Sequence, residues 1–462
     1  MTISQANSFN KKLFSVPCSC FSTIQFHTSR SSKPSTRIQT TPEPIPFITD
    51  VKEVDNPDEA LSLFHHYQQM GFKHDYPSCS ALIYKLAKSR YFDEIKTLLS
   101  YIKDYNIRCQ EAIFIALIRH YGKSNLPEQA VALFGEMTSF NCVRTLQSFN
   151  TLLNVLVSNC KFEEARHMFI SASDMGFRRN VVTFNIMIKG FLDMGEWDLA
   201  RQLFDEMPEK RIQPNVITYN CLIGYMCKKS NLDGAMCLFD EMSKKRKRPD
   251  AVTYAILMEG LCSIGKFNEA KKMMFDMEYQ GCKASLKNYG VLMSDLGRRG
   301  MVEEAKAMFL DMKRRRIRPD VVIYNILINY LCKEGKASEA YKLLVEMQVR
   351  GIEPIAVTYR TMVDGFCQLG NFEDGLRILS LMLTNKHCPR LETFCTLFGG
   401  LVRCGKLEDA SFVLEVMDKR KMRFDLEIWK TMVNEFCGGS DEEVSVGLVT
   451  ELIAGSGLLF RQ

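Results

Sequence analysis

Residues Val216–Asp250 have the sequence VITYNCLIGYMCKKSNLDGAMCLFDEMSKKRKRPD, and this stretch of 35 residues decides the fold. Apolar residues recur at helical spacing on both sides of Ser230 and Asn231, which predicts one helix over 216–228 and a second over 232–244. Pro249 ends the second helix, and Asp250 is placed to cap the helix that follows. The stretch therefore predicts a helical hairpin.

The same pattern returns along the chain in steps of 35 residues. Ten predicted repeats, numbered 1 to 10, start at Tyr76, Glu111, Leu146, Val181, Val216, Ala251, Leu286, Val321, Ala356 and Leu391, and the tenth ends at Asp425. A single hairpin cannot bury its apolar face alone, so such repeats stack into a continuous core. The period predicts an all-α fold, a right-handed solenoid (superhelix) of about ten 35-residue helix-turn-helix repeats.

Composition narrows the class of protein. The chain is 46% hydrophobic, which suits a folded protein, and it lacks the run of about 18 apolar residues that a membrane span needs. The net charge of +6 arises in residues 1–42, which carry five basic residues and no acid. The remaining chain is nearly neutral, so global charge gives no argument for a nucleic-acid partner.

The two ends differ from the repeats. Residues 1–42 are basic, rich in Ser and Thr and free of acids, which is typical of an organelle transit peptide, although a disordered basic tail is the alternative. The basic stretch at 26–30 favours a mitochondrion over a plastid. Residues 43–75 are predicted to be a linker followed by a partial N-terminal capping repeat, with Asp58–Met70 as its second helix. Residues 426–462 are predicted to be a degenerate C-terminal capping repeat.

The 17 cysteines form no metal-binding motif. Cys227, Cys262, Cys332 and Cys367 all occupy the twelfth position of their repeats, which suits small packing residues between helices. No CxxC pair or Cys/His cluster has zinc spacing. We therefore expect no metal and no cofactor, and a reducing compartment.

The repeats resemble a known family. Their VTFN, ITYN and VIYN openings, the LCK close of the first helix, the A…LF.EM second helix and the PD ending resemble the pentatricopeptide repeat family, in its plain 35-residue (P-type) subclass. The resemblance covers about 350 residues in register and both partial ends. Tetratricopeptide repeats have a different signature and a period of about 34 residues. The C-terminal extensions that carry deaminase or nuclease chemistry in some relatives have no match after Asp425.

The resemblance implies binding of single-stranded organelle RNA, one base per repeat. In the family, the fifth and last residues of a repeat select the base, the second residue flanks it, and a basic residue near the end of the first helix faces phosphate. The base-selecting residues would be Asn150, Asn180, Asn185, Asn215, Asn220, Asp250, Gly290, Asp320 and Asn325. The flanking residues would be Val182, Ile217, Val252, Val322 and Val357, and the phosphate-facing residues Lys88, Lys123, Lys228, Arg298, Lys333 and Arg403.

Each position also has a structural interpretation. Asn is a poor helix former, so its recurrence at the fifth position of four repeats favours a base-contacting amide. The last residues are good N-caps whatever else they do. The β-branched second residues could wall a base or belong to the core. The thirteenth position is basic in six repeats, and cations also favour a helix C-terminus.

Other features are less specific. The basic runs Lys244–Arg248 and Lys313–Arg316 favour a solvated edge, and the pairs Ile115/Thr145, Ala255/Ser285 and Arg360/Arg390 imply no base. The sequence shows no metal-site carboxylate cluster, nucleophile triad or phosphate loop. It therefore offers no candidate residues for an enzymatic function.

The first hypothesis is a sequence-specific RNA-binding protein that acts by site occupancy in transcript stabilisation or processing, splicing or translation. It would be a monomer, with RNA-processing proteins as further partners. The alternative is a protein-interaction scaffold of the tetratricopeptide type, which predicts no recurrent Asn at the fifth position.

Overall fold

A computed structural model describes residues 46–420, and every regular element in that range is a helix. The predicted transit peptide and the predicted C-terminal capping repeat lie outside the described residues. None of the described helices is long and apolar enough to cross a membrane. The described residues divide into two compact units, one that ends at Leu82 and one that begins at Ile83.

The first unit contains two helices ahead of the repeats, Pro46–Glu53 and Pro57–Gln69. The first of these differs from the sequence prediction, which placed a linker there. It forms because Phe47 and Val51 lie one turn apart and are both buried. The second helix begins with Asn56 as its cap, whose side chain accepts the N–H of Asp58.

The first helices of the ten repeats begin at the first residue of each 35-residue unit. They are Tyr76–Ser89, which crosses the division between the two units, and Glu111–Lys123, Leu146–Ser158, Val181–Met194, Val216–Lys228, Ala251–Ser263, Leu286–Arg298, Val321–Lys333, Ala356–Gln368 and Leu391–Arg403. Within the second unit, first helices of successive repeats pack against one another, and each packs on the second helix of its own repeat.

The second helices complete the hairpins. They are Phe92–Asp104, Pro127–Glu136 with a 3-10 turn at Met137–Phe140, Phe162–Ser171, Trp197–Glu209, Leu232–Lys244, Phe267–Tyr279, Val302–Arg314, Ala337–Val349, Phe372–Thr384 and Leu407–Lys419. The turn between the two helices of a repeat places one residue at positive φ, such as Gly195 or Gly265. The result in the second unit is an all-α solenoid of helical hairpins, as predicted.

An aromatic residue at the fourth position anchors the hairpins of repeats 2 to 10. Tyr219, Tyr289, Tyr324 and Tyr359 are fully buried. The buried ring needs a partner for its hydroxyl. The Tyr289 hydroxyl donates to Asp311 at 3.0 Å and the Tyr324 hydroxyl donates to Glu346 at 3.0 Å, in both cases on the second helix of the same repeat.

The cysteines at the twelfth position are packing residues, as predicted. Cys227 and Cys332 are buried, and each lies against a glycine at the tenth position of the next repeat. A Cβ at Gly260 would lie 2.7 Å from the Cys227 sulfur, so only glycine permits this approach. Burial raises the pKa of the Cys332 thiol to about 12, which keeps it protonated and unreactive. The described cysteines are all free, and no described group of side chains could hold a metal.

Candidate nucleic-acid interface

The structure brings together the fifth and last residues of repeats 3, 4 and 5. The members of each pair are 30 residues apart in sequence, and the amide nitrogen of the fifth residue donates to a side-chain oxygen of the last residue. The nitrogen-to-oxygen distances are 3.4 Å for Asn150–Asn180, 3.2 Å for Asn185–Asn215 and 3.5 Å for Asn220–Asp250. The predicted base-selecting pairs are therefore neighbours in these three repeats.

The last residues also cap the next helix. Asn180 Oδ1 accepts the N–H groups of Val182 and Thr183 at 3.0 and 3.1 Å. Asp250 Oδ1 accepts the N–H of Thr253 at 2.8 Å, and Asp320 caps its helix in the same way. The capping interpretation is therefore correct for these residues. It is compatible with base contact, because the described hydrogen bonds of Asp250 all use Oδ1 and not Oδ2.

The electrostatics of repeat 5 favour a charged cap. Burial raises the pKa of Asp250, but hydrogen bonds from the Thr253 backbone and side chain and from Asn220 outweigh it. The pKa of Asp250 consequently lies below its usual range. A carboxylate thus faces the amide group of Asn220 at neutral pH, whereas repeats 3 and 4 place a neutral amide there.

The third residue of the following repeat is a partner that the sequence prediction missed. A threonine hydroxyl at that position lies against the side-chain oxygen of each recurrent Asn. The oxygen-to-oxygen distances are 2.8 Å for Thr183–Asn150, 2.7 Å for Thr218–Asn185, 2.7 Å for Thr253–Asn220 and 2.7 Å for Thr358–Asn325. The signal was present in the sequence, since a Thr follows each of these Asn residues after 33 positions. These bonds also give the recurrent Asn a structural role between repeats.

The second residues are not part of the core. Val182, Ile217, Val252, Val322 and Val357 each leave between 44% and 60% of their surface exposed. Two positions further along the same helix, Tyr219 is fully buried, so the exposure follows from the face of the helix and not from loose packing. An exposed, stiff apolar side chain beside each cap can contact the face of a base.

The thirteenth residues are all exposed, namely Lys88, Lys123, Lys228, Arg298, Lys333 and Arg403. Arg298 differs from the lysines because it binds the carboxylate of Asp295 at 2.9 Å. That carboxylate is buried and also binds Arg299 at 2.7 Å. The charge of Arg298 is therefore partly neutralised, whereas no described ion pair involves Lys123 or Lys228.

Two grooves combine several of the predicted residues. One, of about 790 Å³, is lined by Lys123, Asn150, Asn180 and Val182 among others. The other, of about 590 Å³, is lined by residues of repeats 7 and 8, namely Gly290, Arg298, Asp320 and Val322 among others. Its basic residue belongs to the same repeat as Gly290, whereas Lys123 belongs to the repeat before Asn150. The first groove has an amide where the second has a glycine. Asn325 bonds only to Thr358 among its described hydrogen bonds, and the last residue of its repeat, Ile355, has no polar side-chain atom.

The two basic runs lie at the ends of second helices. Lys245 pairs with Glu241 at 2.8 Å and lies over the Phe204 ring. Lys313 pairs with Glu346 of the next repeat at 2.6 Å, and Arg315 is bound to Asp311 at 2.9 Å. The pair formed by Lys245, which is 50% exposed, contributes little to stability. The runs thus agree with the prediction of a solvated edge.

Sequence comparison identifies one family over most of the solenoid. The sequence model described as PPR repeat family matches residues 144–193, 179–221, 214–263 and 319–368. The model described as PPR repeat matches residues 112–142, 252–282, 357–387 and 392–422, and a pentatricopeptide repeat domain matches residues 272–334. Together these matches extend over more than half of the chain.

Two curated relatives from Arabidopsis thaliana carry the same repeats. One mitochondrial pentatricopeptide repeat-containing protein is 51% identical over 163 residues, which are 33% of this chain and 36% of the relative. A second is 29% identical over 172 residues, which are 36% of this chain and 31% of the relative. The matched segments thus span about a third of these relatives.

Among solved structures, the pentatricopeptide repeat protein PPR10 from maize is similar in fold. It is 20% identical with a TM-score of 0.49, and the match covers 89% of this chain and 69% of that one. The same protein has been solved in complex with an 18-nt psaJ RNA element, at 22% identity and a TM-score of 0.46, with 81% and 60% of the two chains covered.

Proposed function

The chain belongs to the pentatricopeptide repeat family, and we propose that it is a sequence-specific single-stranded RNA-binding protein that contacts one base per repeat. The observation that carries the proposal is the arrangement in repeats 3 to 5. There an amide from the fifth residue faces the capping side chain of the last residue, beside an exposed β-branched side chain. The scaffold alternative accounts for the bond between the Asn and the threonine of the next repeat, but it gives no reason for the exposed β-branched side chain beside each pair.

The geometry supports base contact in three ways. The amides of Asn150, Asn185 and Asn220 offer hydrogen-bond groups to a base edge. The exposed Val182 and Ile217 offer an apolar surface to the face of a base. The 35-residue period repeats both groups once per hairpin, which matches the one-base-per-repeat spacing of the proposal.

By resemblance to the family, the pairs also suggest which bases are bound. Asn with Asn favours a pyrimidine and Asn with Asp favours uracil, so repeats 3 to 5 would bind 5′-(C/U)(C/U)U-3′ in an orientation parallel to the RNA. Repeats 6 and 7 have no clear preference, and Asn325 with Ile355 suggests a further pyrimidine. The thirteenth residues, led by Lys123 and Lys228, would contact the phosphates.

The setting of the proposal is an organelle. The basic, acid-free composition of residues 1–42 and the mitochondrial names of two relatives both support import into mitochondria. There the protein would act without catalysis. By occupying a site it would stabilise a transcript or aid the processing, splicing or translation of that transcript. A fusion of residues 1–60 to a fluorescent protein should enter mitochondria, and a cytosolic fusion would contradict this setting.

RNA capture from organelles tests the proposed binding. RNA crosslinked to the tagged protein should share a pyrimidine triplet, then two bases without a preference, then a further pyrimidine. A matched variant with Asn150→Ala, Asn185→Ala and Asn220→Ala should lose that motif while still folding, because alanine suits a helix. Captured RNA with no common motif, or the same motif from both proteins, would refute the proposal.

A further inference from the structure

The third residue of each repeat connects two repeats through the recurrent Asn. Thr183, Thr218, Thr253 and Thr358 are buried, and each contacts the Asn at the fifth position of the repeat before it. In repeats 2 to 10, whenever one repeat has Asn at its fifth position, the next repeat has Thr at its third position. The remaining third residues of these repeats are Ile113, Ser148, Asn288, Ile323 and Thr393.

The hydrogen bonds of the threonine hydroxyl restrict the orientation of the Asn amide. A hydroxyl has one hydrogen to donate. Thr358 Oγ1 accepts the backbone N–H of Ile355 at 3.2 Å, and among the described residues the one side-chain oxygen bonded to it is Asn325 Oδ1 at 2.7 Å. The hydrogen of Thr358 therefore goes to the amide oxygen of Asn325. The amide nitrogen then points away from the threonine.

The last residue imposes the same orientation in repeats 3 to 5. Asn180 Oδ1 accepts two backbone N–H groups, so its oxygen is fixed by capping and faces the Asn150 amide nitrogen. In repeat 5 the carboxylate of Asp250 faces the Asn220 amide nitrogen at 3.5 Å. A flipped Asn would place its oxygen against these oxygens, which is repulsive. Thr253 thus favours the same orientation of the Asn220 amide as Asp250 does. Its hydroxyl hydrogen is shared between Asn220 Oδ1 and Asp250 Oδ1, which lies 2.9 Å from the hydroxyl oxygen.

We propose that the threonine at the third position is a positioning residue for base selection by the preceding repeat. This inference rests on the proposed function. By binding the amide oxygen, the threonine makes the Asn present hydrogen-bond donors, and one amide hydrogen remains for an acceptor on the base. Where the last residue is Asp, as in repeat 5, these donors suit the carbonyl oxygen of uracil and oppose the exocyclic amino group of cytosine. The unit of recognition therefore spans two repeats.

The loss of the hydroxyl tests this role. Thr253→Val has nearly the same shape but cannot hold the Asn220 oxygen, so the amide gains a second orientation. The measurement is the ratio of dissociation constants of the full chain for two RNAs that differ only by uracil or cytosine at the base of repeat 5. Wild type should prefer uracil by about tenfold, and the ratio for Thr253→Val should fall to about twofold.

Two controls separate positioning from folding. Thr253→Ser retains the hydroxyl and should keep the wild-type ratio. Thr393→Val removes a threonine at the same position of repeat 10, where the preceding fifth residue is Arg360 and there is no amide to orient. This variant should also keep the ratio. A wild-type ratio in a folded Thr253→Val protein would overturn the inference.

Repeat 7 allows the reverse experiment, which does not depend on the folding of Thr253→Val. It has Gly290 at the fifth position and Asp320 at the last, but Ile323 in place of the threonine. A Cβ at Gly290 would meet its nearest neighbours, Ile323 and Ile326, at 3.5 and 3.6 Å, which is ordinary contact.

The expected outcomes distinguish the inference from the proposed function. Gly290→Asn alone should give a uracil-to-cytosine ratio of about two at the base of repeat 7, and Gly290→Asn with Ile323→Thr about ten. Equal ratios in the single and double variants would overturn the inference. A wild-type protein that shows no single-base preference at repeat 5 would instead refute the proposed function.

Discussion

Repeats 3 to 5 and repeats 6 to 7 are packed in the same way but differ at the surface beside the caps. Both regions bury an aromatic residue at the fourth position, such as Tyr219 and Tyr289, and both pack their first helices against the next repeat. Repeats 3 to 5 place Asn at the fifth position. Repeats 6 and 7 have Ala255 and Gly290 there. The third position of the repeat that follows each of them holds Asn288 and Ile323, respectively.

The replacements in repeats 6 and 7 show that the packing of a repeat does not require Asn at the fifth position. Asn288 is buried and donates to the backbone oxygen of Ala251 at 3.0 Å, so it joins two repeats without an Asn partner at the fifth position. Ile323 fills the same place with an apolar side chain. The stack continues in both cases. We therefore expect changes in the core to affect the two regions alike, and changes at the interface to affect them differently.

The largest effect should come from equivalent buried positions in the two regions. Leu222→Ala in repeat 5 and Leu292→Ala in repeat 7 each remove a fully buried side chain at the seventh position. Each should lower the free energy of unfolding by about 2–5 kcal/mol. Urea denaturation followed by circular dichroism measures both, and a large cost for only one of them would show that the two regions are not packed alike.

The next effect should be confined to the interface of repeats 3 to 5. Asn220→Ala should weaken binding to RNA that contains the pyrimidine triplet by about 1–3 kcal/mol, because one base loses its hydrogen-bond partner. Cys237→Ala, an exposed change on the second helix of the same repeat, is the matched control and should bind normally. Fluorescence anisotropy with a labelled RNA measures both, and equal affinities would exclude a role for Asn220 in binding.

A smaller effect concerns the cap of repeat 5. Asp250→Ala should cost about 1 kcal/mol of stability through the lost cap, whereas Asp250→Asn keeps the capping oxygen. Because the pKa of Asp250 is depressed in the folded state, its stabilisation is present above the unfolded pKa and is lost as pH falls through the folded pKa. Between about pH 6 and about pH 3, wild type should therefore lose more thermal stability than Asp250→Asn. Parallel losses would contradict the lowered pKa.

The smallest effect should separate the thirteenth residues. Lys228→Ala should weaken binding to all RNAs alike and reduce the salt slope by about 0.7. Arg298→Ala should reduce the slope less, because Asp295 already neutralises part of the charge. Titrations of binding against salt concentration measure both, and an unchanged slope in a Lys228→Ala and Lys333→Ala double variant would assign these lysines to the solvated surface alone.

Most of the fold was predictable because one pattern recurs at one spacing. The period specified where each first helix begins, and the twelfth position identified Cys227 and Cys332 as packing residues. The helix Pro46–Glu53 was not predicted, because its pattern occurs only once in the chain and the prolines in and around it suggested a linker. A pattern that appears only once cannot be checked against its own repeats.

The candidate site was predictable by position but not by contact. Spacing placed Asn220 and Asp250 in one repeat, and the structure adds that their side chains are 3.5 Å apart. The role of Thr253 was missed because its contact joins two repeats, and periodicity does not show which positions of adjacent repeats meet. The exposure of Ile217 could not be deduced either, since β-branched residues suit both a core and a surface.

The most direct test of base selection is a randomised-library selection with the wild-type protein and with Asn220→Thr. The wild type should enrich uracil at the base of repeat 5. Asn220→Thr leaves Asp250 in place and should shift that single position towards guanine, because the short hydroxyl leaves room for a purine, while the flanking preferences stay the same. If both proteins enrich the same base at that position, Asn220 does not select a base and the assigned register of the repeats is wrong.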